Sequence, residues 1–166
     1  MNRTTLLTTM ALFVAIGTLA AQFLWFPTGI AKAYPVQHAV NVMAAVILGP
    51  GPAVVIALMI GLLRNLLGLG TLLAFPGGLI GAFFAGYLYK LTKKTWSAGV
   101  GEIIGTGIIA SLLSVPFANV LMGQSVGALA FVPGFLISSI SGAIIGLFVL
   151  SRVKESNFIK RHAFSK

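Results

Sequence analysis

The stretch Gly61-Leu-Leu-Arg64-Asn65-Leu-Leu-Gly68-Leu-Gly70-Thr71-Leu-Leu-Ala-Phe75-Pro76-Gly77-Gly78 sets an Arg and an Asn inside a segment otherwise apolar enough for lipid. A guanidinium keeps its proton and is costly at membrane depth, so it faces a partner, a cavity or a ligand. Arg64 is therefore the first candidate functional residue. The Gly-rich run with Pro76 reads as a helix break whose backbone polar groups line a cavity.

Composition supports the same setting. Of 166 residues, 58% are hydrophobic and 8% charged, and the mean hydropathy is +1.03. A soluble core needs nothing like this, so the chain reads as one integral membrane domain, residues 1–166, all-α and multi-pass. With no Cys, disulfides, thiolate metal sites and Cys nucleophiles are excluded. The net charge of +9 sits at the ends of apolar runs, as membrane topology requires, and does not point to nucleic acid.

Apolar runs and breaks predict six helices, at about 6–24, 37–48, 53–67, 77–91, 98–121 and 126–150. The first run exceeds a signal-peptide core of roughly 7 to 15 residues and is read as a retained helix. On it Thr4, Thr8, Ala11, Ala15, Thr18 and Gln22 form a small and polar stripe suited to close helix approach. Between helices 1 and 2, Trp25, Phe26, Pro27, Gly29, Lys32, Tyr34 and Pro35 make either a lid whose rings stack on a flat ligand or an interfacial aromatic belt.

At about 100° per residue Gln37, His38 and Asn41 share one face of helix 2, a candidate ligand face. Gly49-Pro50-Gly51-Pro52 is a turn. Arg64 and Asn65 lie about 100° apart, so one lines the cavity and the other braces a neighbouring helix. Gly77, Gly81 and Ala85, with Gly78, Ala82 and Gly86, form small ridges that make helix 4 central.

In helix 5, Pro116 should kink the chain and free a carbonyl. Glu102 reads as structural, paired with the Lys90, Lys93 and Lys94 group or with the helix N-terminus. Gln124 and Ser125 form a short loop, and Pro133-Gly134 should bend helix 6 near its start. Six spans place nine of the eleven Lys and Arg on the side of both termini, which the positive-inside rule makes cytoplasmic. Polar capacity at Gln37, His38, Asn41, Arg64, Asn65, Asn119 and Gln124 then gathers in the outer half. The phosphate-cradling G-x-x-x-x-G-K-[ST] pattern is absent, and so is any nucleophile, base and metal-ligand constellation. The chain reads as a binding subunit without cofactor or enzymatic activity, energised by partners.

Three stretches carry a family resemblance: Tyr34-Pro-Val-Gln-His-Ala-Val-Asn41, Gly61-Leu-Leu-Arg-Asn-Leu-Leu-Gly68 through Leu73-Ala-Phe-Pro-Gly77, and Gly101-Glu-Ile-Ile-Gly-Thr-Gly107. Over nearly its whole length the chain resembles the ThiW family, substrate-binding S components of energy-coupling factor (ECF) transporters. The resemblance implies a six-helix S component in the plasma membrane that binds hydroxyethylthiazole, the thiazole moiety of thiamine. It also implies a transmembrane coupling subunit and two cytoplasmic ATPases as partners, with Ala11-x-x-x-Ala15 docking on the coupling subunit. For such a ligand Trp25, Phe26, Tyr34 and Phe75 are candidate stacking rings, and His38, Asn41 and Asn65 candidate hydrogen-bonding groups. Another thiamine-related heterocycle, such as the aminopyrimidine, remains open, as does a structural membrane subunit in which Arg64 and Glu102 are interhelical glue.

Overall fold

The structure, a computed structural model, describes residues 1–28 and 32–154. The loop residue Gly29 and the tail cations Lys160, Arg161 and Lys166 lie outside them. Six helices run through the described residues: α1 Arg3–Phe23, α2 Pro35–Ile47, α3 Pro50–Leu66, α4 Ala74–Thr92, α5 Thr95–Leu121 and α6 Val132–Lys154. Three of them, α1, α5 and α6, are long and apolar enough to cross a membrane.

Local chemistry sets the boundaries. Asn2 caps α1 by accepting from Thr5 N at 2.8 Å, satisfying one of the free first-turn donors. Pro35 and Pro50 open α2 and α3, where a missing N–H costs nothing. Pro76 and Pro133 behave in the same way, in the first turns of α4 and α6. This corrects two expectations: Pro76 does not break a helix, and α6 starts at Val132 rather than being bent by Pro133-Gly134 after a start near 126. Between α1 and α2 the chain forms a short antiparallel hairpin, β1 Phe26–Pro27 with β2 Lys32–Ala33, so the fold is helical with one small β element.

α3 ends where Gly68 takes a left-handed φ of 69°. Leu69 N then turns back to donate to Arg64 O at 2.8 Å, folding 67–73 over the end of its own helix. Small residues set the helix spacing. A Cβ on Gly105 would stand 2.8 Å from Ile80 O, and one on Gly101 2.6 Å from Phe84 C, so the backbones of α4 and α5 touch directly. The ridge Gly77, Gly81 and Ala85 is buried as expected. α5 is not a uniform α-helix: Ile103–Ala110 and Phe117–Leu121 are π-helical, a widening frequent at functional sites.

The core itself is small-residue packing: Ala44, Ala45, Ala53, Ala57, Ala82, Ala85, Ala98 and Ala143 among Val40, Val42, Ile56 and Ile60. Leu7, Leu12, Leu19 and Phe23 on α1 and Ile144 and Phe148 on α6 point outward, the inverse of a water-soluble surface and suited to lipid.

Candidate ligand cavity

Alternating chain direction brings six segments to one end of the bundle: the ends of α1, α3 and α5 and the starts of α2, α4 and α6. They enclose a cavity of about 450 Å³, within the range of roughly 300–1,000 Å³ typical of small-molecule sites.

Its organising residue is Arg64, 2% exposed. Nη1 donates to Gln37 Oε1, Nη2 to Leu69 O at 3.4 Å, and the guanidinium lies over the Tyr34 ring, 3.6 Å from its centroid. Tyr34 Oη donates to the same Leu69 carbonyl at 3.0 Å. Arg64 thus ties the folded-back segment 67–73 to the start of α2 and to the hairpin. Its Nε is buried with no partner among the described residues. Tyr34 N donates to Ser138 Oγ at 2.8 Å, which pins the hairpin to α6.

Beneath this layer lies a second polar cluster. Glu102 is fully buried and its Oε1 stands 2.7 Å from His38 Nδ1, 3.2 Å from Asn41 Nδ2 and 2.9 Å from Thr106 Oγ1. Asn41 Nδ2 also reaches Gly78 O at 3.2 Å, and Thr106 Oγ1 reaches Gly77 O at 2.9 Å. The partners of Glu102 are these and not the lysines at 90, 93 and 94, because its face of α5 packs on the glycine ridge of α4.

Of the expected site residues, Trp25, Tyr34, Gln37, His38, Arg64 and Gln124 line the cavity. The other four have different neighbours. Asn41 is in the buried cluster below. Asn65 Nδ2 donates to Gly61 O at 2.8 Å and Thr71 O at 3.1 Å, so it braces the turn after its own helix and not a neighbouring helix. Phe75 packs against α3, 3.3 Å from where a Cβ on Gly61 would sit. Asn119 Oδ1 accepts from Val126 N at 3.1 Å and shapes the loop before α6.

The lining also holds residues that were not expected at the ligand: Gln22, Thr71, Thr106 and Ser138, with the rings of Phe131 and Phe135. Those two rings stand 6.0 Å apart, at four-residue spacing on what the sequence presents as ordinary helix. Lys32 also lines the cavity, its Nζ 4.0 Å from the Trp25 ring centroid. The wall therefore carries cations and hydrogen-bonding groups between aromatic faces, with no carboxylate among the described residues that line it. Among the described residues no three His, Cys, Asp or Glu side chains come together as a metal site. On α1, Ala11 and Ala15 are exposed and make no part of the cavity.

Fold and site together define a helical membrane protein with a ligand-sized polar and aromatic cavity at one end. Residues 7–156 match the family model described as thiamine-precursor transporter protein (ThiW). The chain belongs to that family. No curated protein matches it.

Proposed function

We propose that the protein is the substrate-binding S component of an ECF-type importer and takes up hydroxyethylthiazole. The observation that carries this reading is the cavity itself, with flat rings at Trp25, Tyr34, Phe131 and Phe135 and hydrogen-bonding groups at Gln37, His38 and Gln124 between them. A small aromatic heterocycle bearing one hydroxyl needs both kinds of wall. A ligand of about nine heavy atoms, at the ceiling of ~1.5 kcal/mol per atom, can still reach nanomolar affinity.

Six spans with both termini cytoplasmic give the orientation. Arg3, Lys90, Lys93, Lys94 and Arg152 stand at the helix ends opposite the cavity, and the positive-inside rule directs that end to the cytoplasm of the plasma membrane. The cavity then opens outward, where an importer collects its solute. Docking on a transmembrane coupling subunit falls to α1 through Ala11 and Ala15, which are exposed on its surface. Two cytoplasmic ATPases supply the energy, and the chain itself has no enzymatic role.

The cavity exceeds what one thiazole fills, which keeps the aminopyrimidine and thiamine as second readings. Calorimetric titration of the detergent-purified chain with hydroxyethylthiazole, the aminopyrimidine and thiamine tests this. Saturable binding of the thiazole in preference to the others supports the assignment; preference for either of the others moves it, and binding of none removes it.

A further inference from the structure

Arg64 and Glu102 are the charged residues that the fold buries among the described ones. A neutral imidazole carries a single ring proton, on Nδ1 or on Nε2. With a carboxylate that only accepts, the contact between His38 Nδ1 and Glu102 Oε1 at 2.7 Å places the ring proton on Nδ1. Asn41 Nδ2, donating to the same oxygen at 3.2 Å, favours the same state of Glu102.

The consequence lies on the other ring nitrogen. His38 lines the cavity, and Nε2, which makes no bond to the described residues, carries a lone pair. Among the other buried polar side chains of the wall, Gln37 Oε1 already accepts from Arg64 and Ser138 Oγ from Tyr34 N, while Thr106 Oγ1 donates to Gly77 O. Arg64 and Lys32 can only donate. A ligand's hydroxyl proton needs an acceptor, and Nε2 offers a lone pair on the buried floor of the cavity.

We infer that His38 Nε2 accepts the ligand's hydroxyl proton, and that Glu102 is the positioning residue that keeps this nitrogen an acceptor. Glu102 acts through the tautomer, as the second partner of a metal-bound or catalytic histidine does. The inference rests on the cavity being the ligand site and extends it: the protein selects alcohols over their deoxy counterparts, whichever heterocycle carries them.

Two matched ligand pairs test it on the purified full chain: hydroxyethylthiazole with 5-ethyl-4-methylthiazole, and the hydroxymethyl aminopyrimidine with its methyl counterpart. Leaving a buried acceptor unpaired should weaken the deoxy ligand about ten- to a hundred-fold against the wild type. His38→Ala should bring that ratio close to one, and Glu102→Ala should shrink it by freeing the tautomer. Nitrogen NMR of the wild type adds a readout that packing does not move: His38 should carry its proton on Nδ1, with Nε2 responding to the alcohol and not to the deoxy compound. If Glu102→Ala fails to fold, the wild-type ratio and the spectrum still decide. Equal affinities within a pair, a ratio that survives His38→Ala, or a proton on Nε2 in the free protein would each overturn the inference. Binding of the pyrimidine pair alone, with the ratio intact, would overturn the thiazole assignment and support the hydroxyl reading. Failure of all four ligands to bind would overturn both.

Discussion

Arg64 and Tyr34 share one acceptor: Arg64 Nη2 and Tyr34 Oη reach the Leu69 carbonyl at 3.4 and 3.0 Å while the guanidinium lies on the phenol ring. One peptide group of the broken segment is thereby fixed by two side chains from different elements. A planar, delocalised cation can stack on the ring and bond in its own plane at once; a lysine ammonium cannot. Arg64→Lys should therefore lower ligand affinity at least ten-fold and also lower the melting temperature, since Gln37 and Leu69 O lose partners worth about 1–3 kcal/mol each. Tyr34→Phe keeps the ring and loses one bond, so it should cost about 1 kcal/mol. Thermal unfolding in detergent and ligand titration of both variants check the order; a lysine variant equal to wild type would contradict the bracing role.

The rings of the cavity wall make a separable prediction. Phe131, just before α6, is buried and Phe135, in its first turn, is half-buried, and both line the cavity. Phe135→Leu should reduce thiazole affinity by about 0.5–1.5 kcal/mol, the worth of an aromatic contact beyond its area, while thermal stability of the empty protein changes little. Unchanged affinity would show that the ligand stacks elsewhere.

Close backbone approach between α4 and α5 predicts an asymmetric response to added methyl groups. Gly101→Val must push Cβ into the Phe84 peptide, whereas Gly127 has open space around the same position. Gly101→Val should cost about 1–3 kcal/mol or more by overpacking, seen as aggregation on size-exclusion chromatography. Gly127→Val should elute as wild type.

Partner docking is tested away from the cavity. Ala11→Leu with Ala15→Leu enlarges an exposed face of α1 and should abolish co-purification with the coupling subunit while ligand affinity holds. A complex that survives both changes would place the docking face on another helix.

Local chemistry made much of the fold legible, and long-range pairing hid much of the site. Gly49-Pro50-Gly51-Pro52 marks the boundary but not its register, since α3 opens at Pro50 and not at 53 after a four-residue turn, and Gln37, His38 and Asn41 share a face because helical spacing requires it. Asn41 was expected at the ligand, yet its partners Gly78 and Glu102 stand 37 and 61 positions away, where spacing carries no information. The same holds for Glu102, whose nearest lysines in sequence lie across a turn while its real partners lie across the bundle. Pro76 and Pro133 read as bends because a proline in a first turn and one at a kink look alike in an apolar run. The π-helical turns of α5 left no periodic mark, and Phe131 and Phe135 were not singled out because an aromatic in an apolar run carries no sign of the cavity it faces.

The most direct measurement is a calorimetric titration of hydroxyethylthiazole into the wild type and into Thr71→Trp, an exposed position on the cavity rim where a large ring fills the site without touching the core. The account predicts saturable one-to-one binding to the wild type and its loss in Thr71→Trp, with both proteins eluting alike. Equal binding to the two proteins, or none to the wild type, would contradict it.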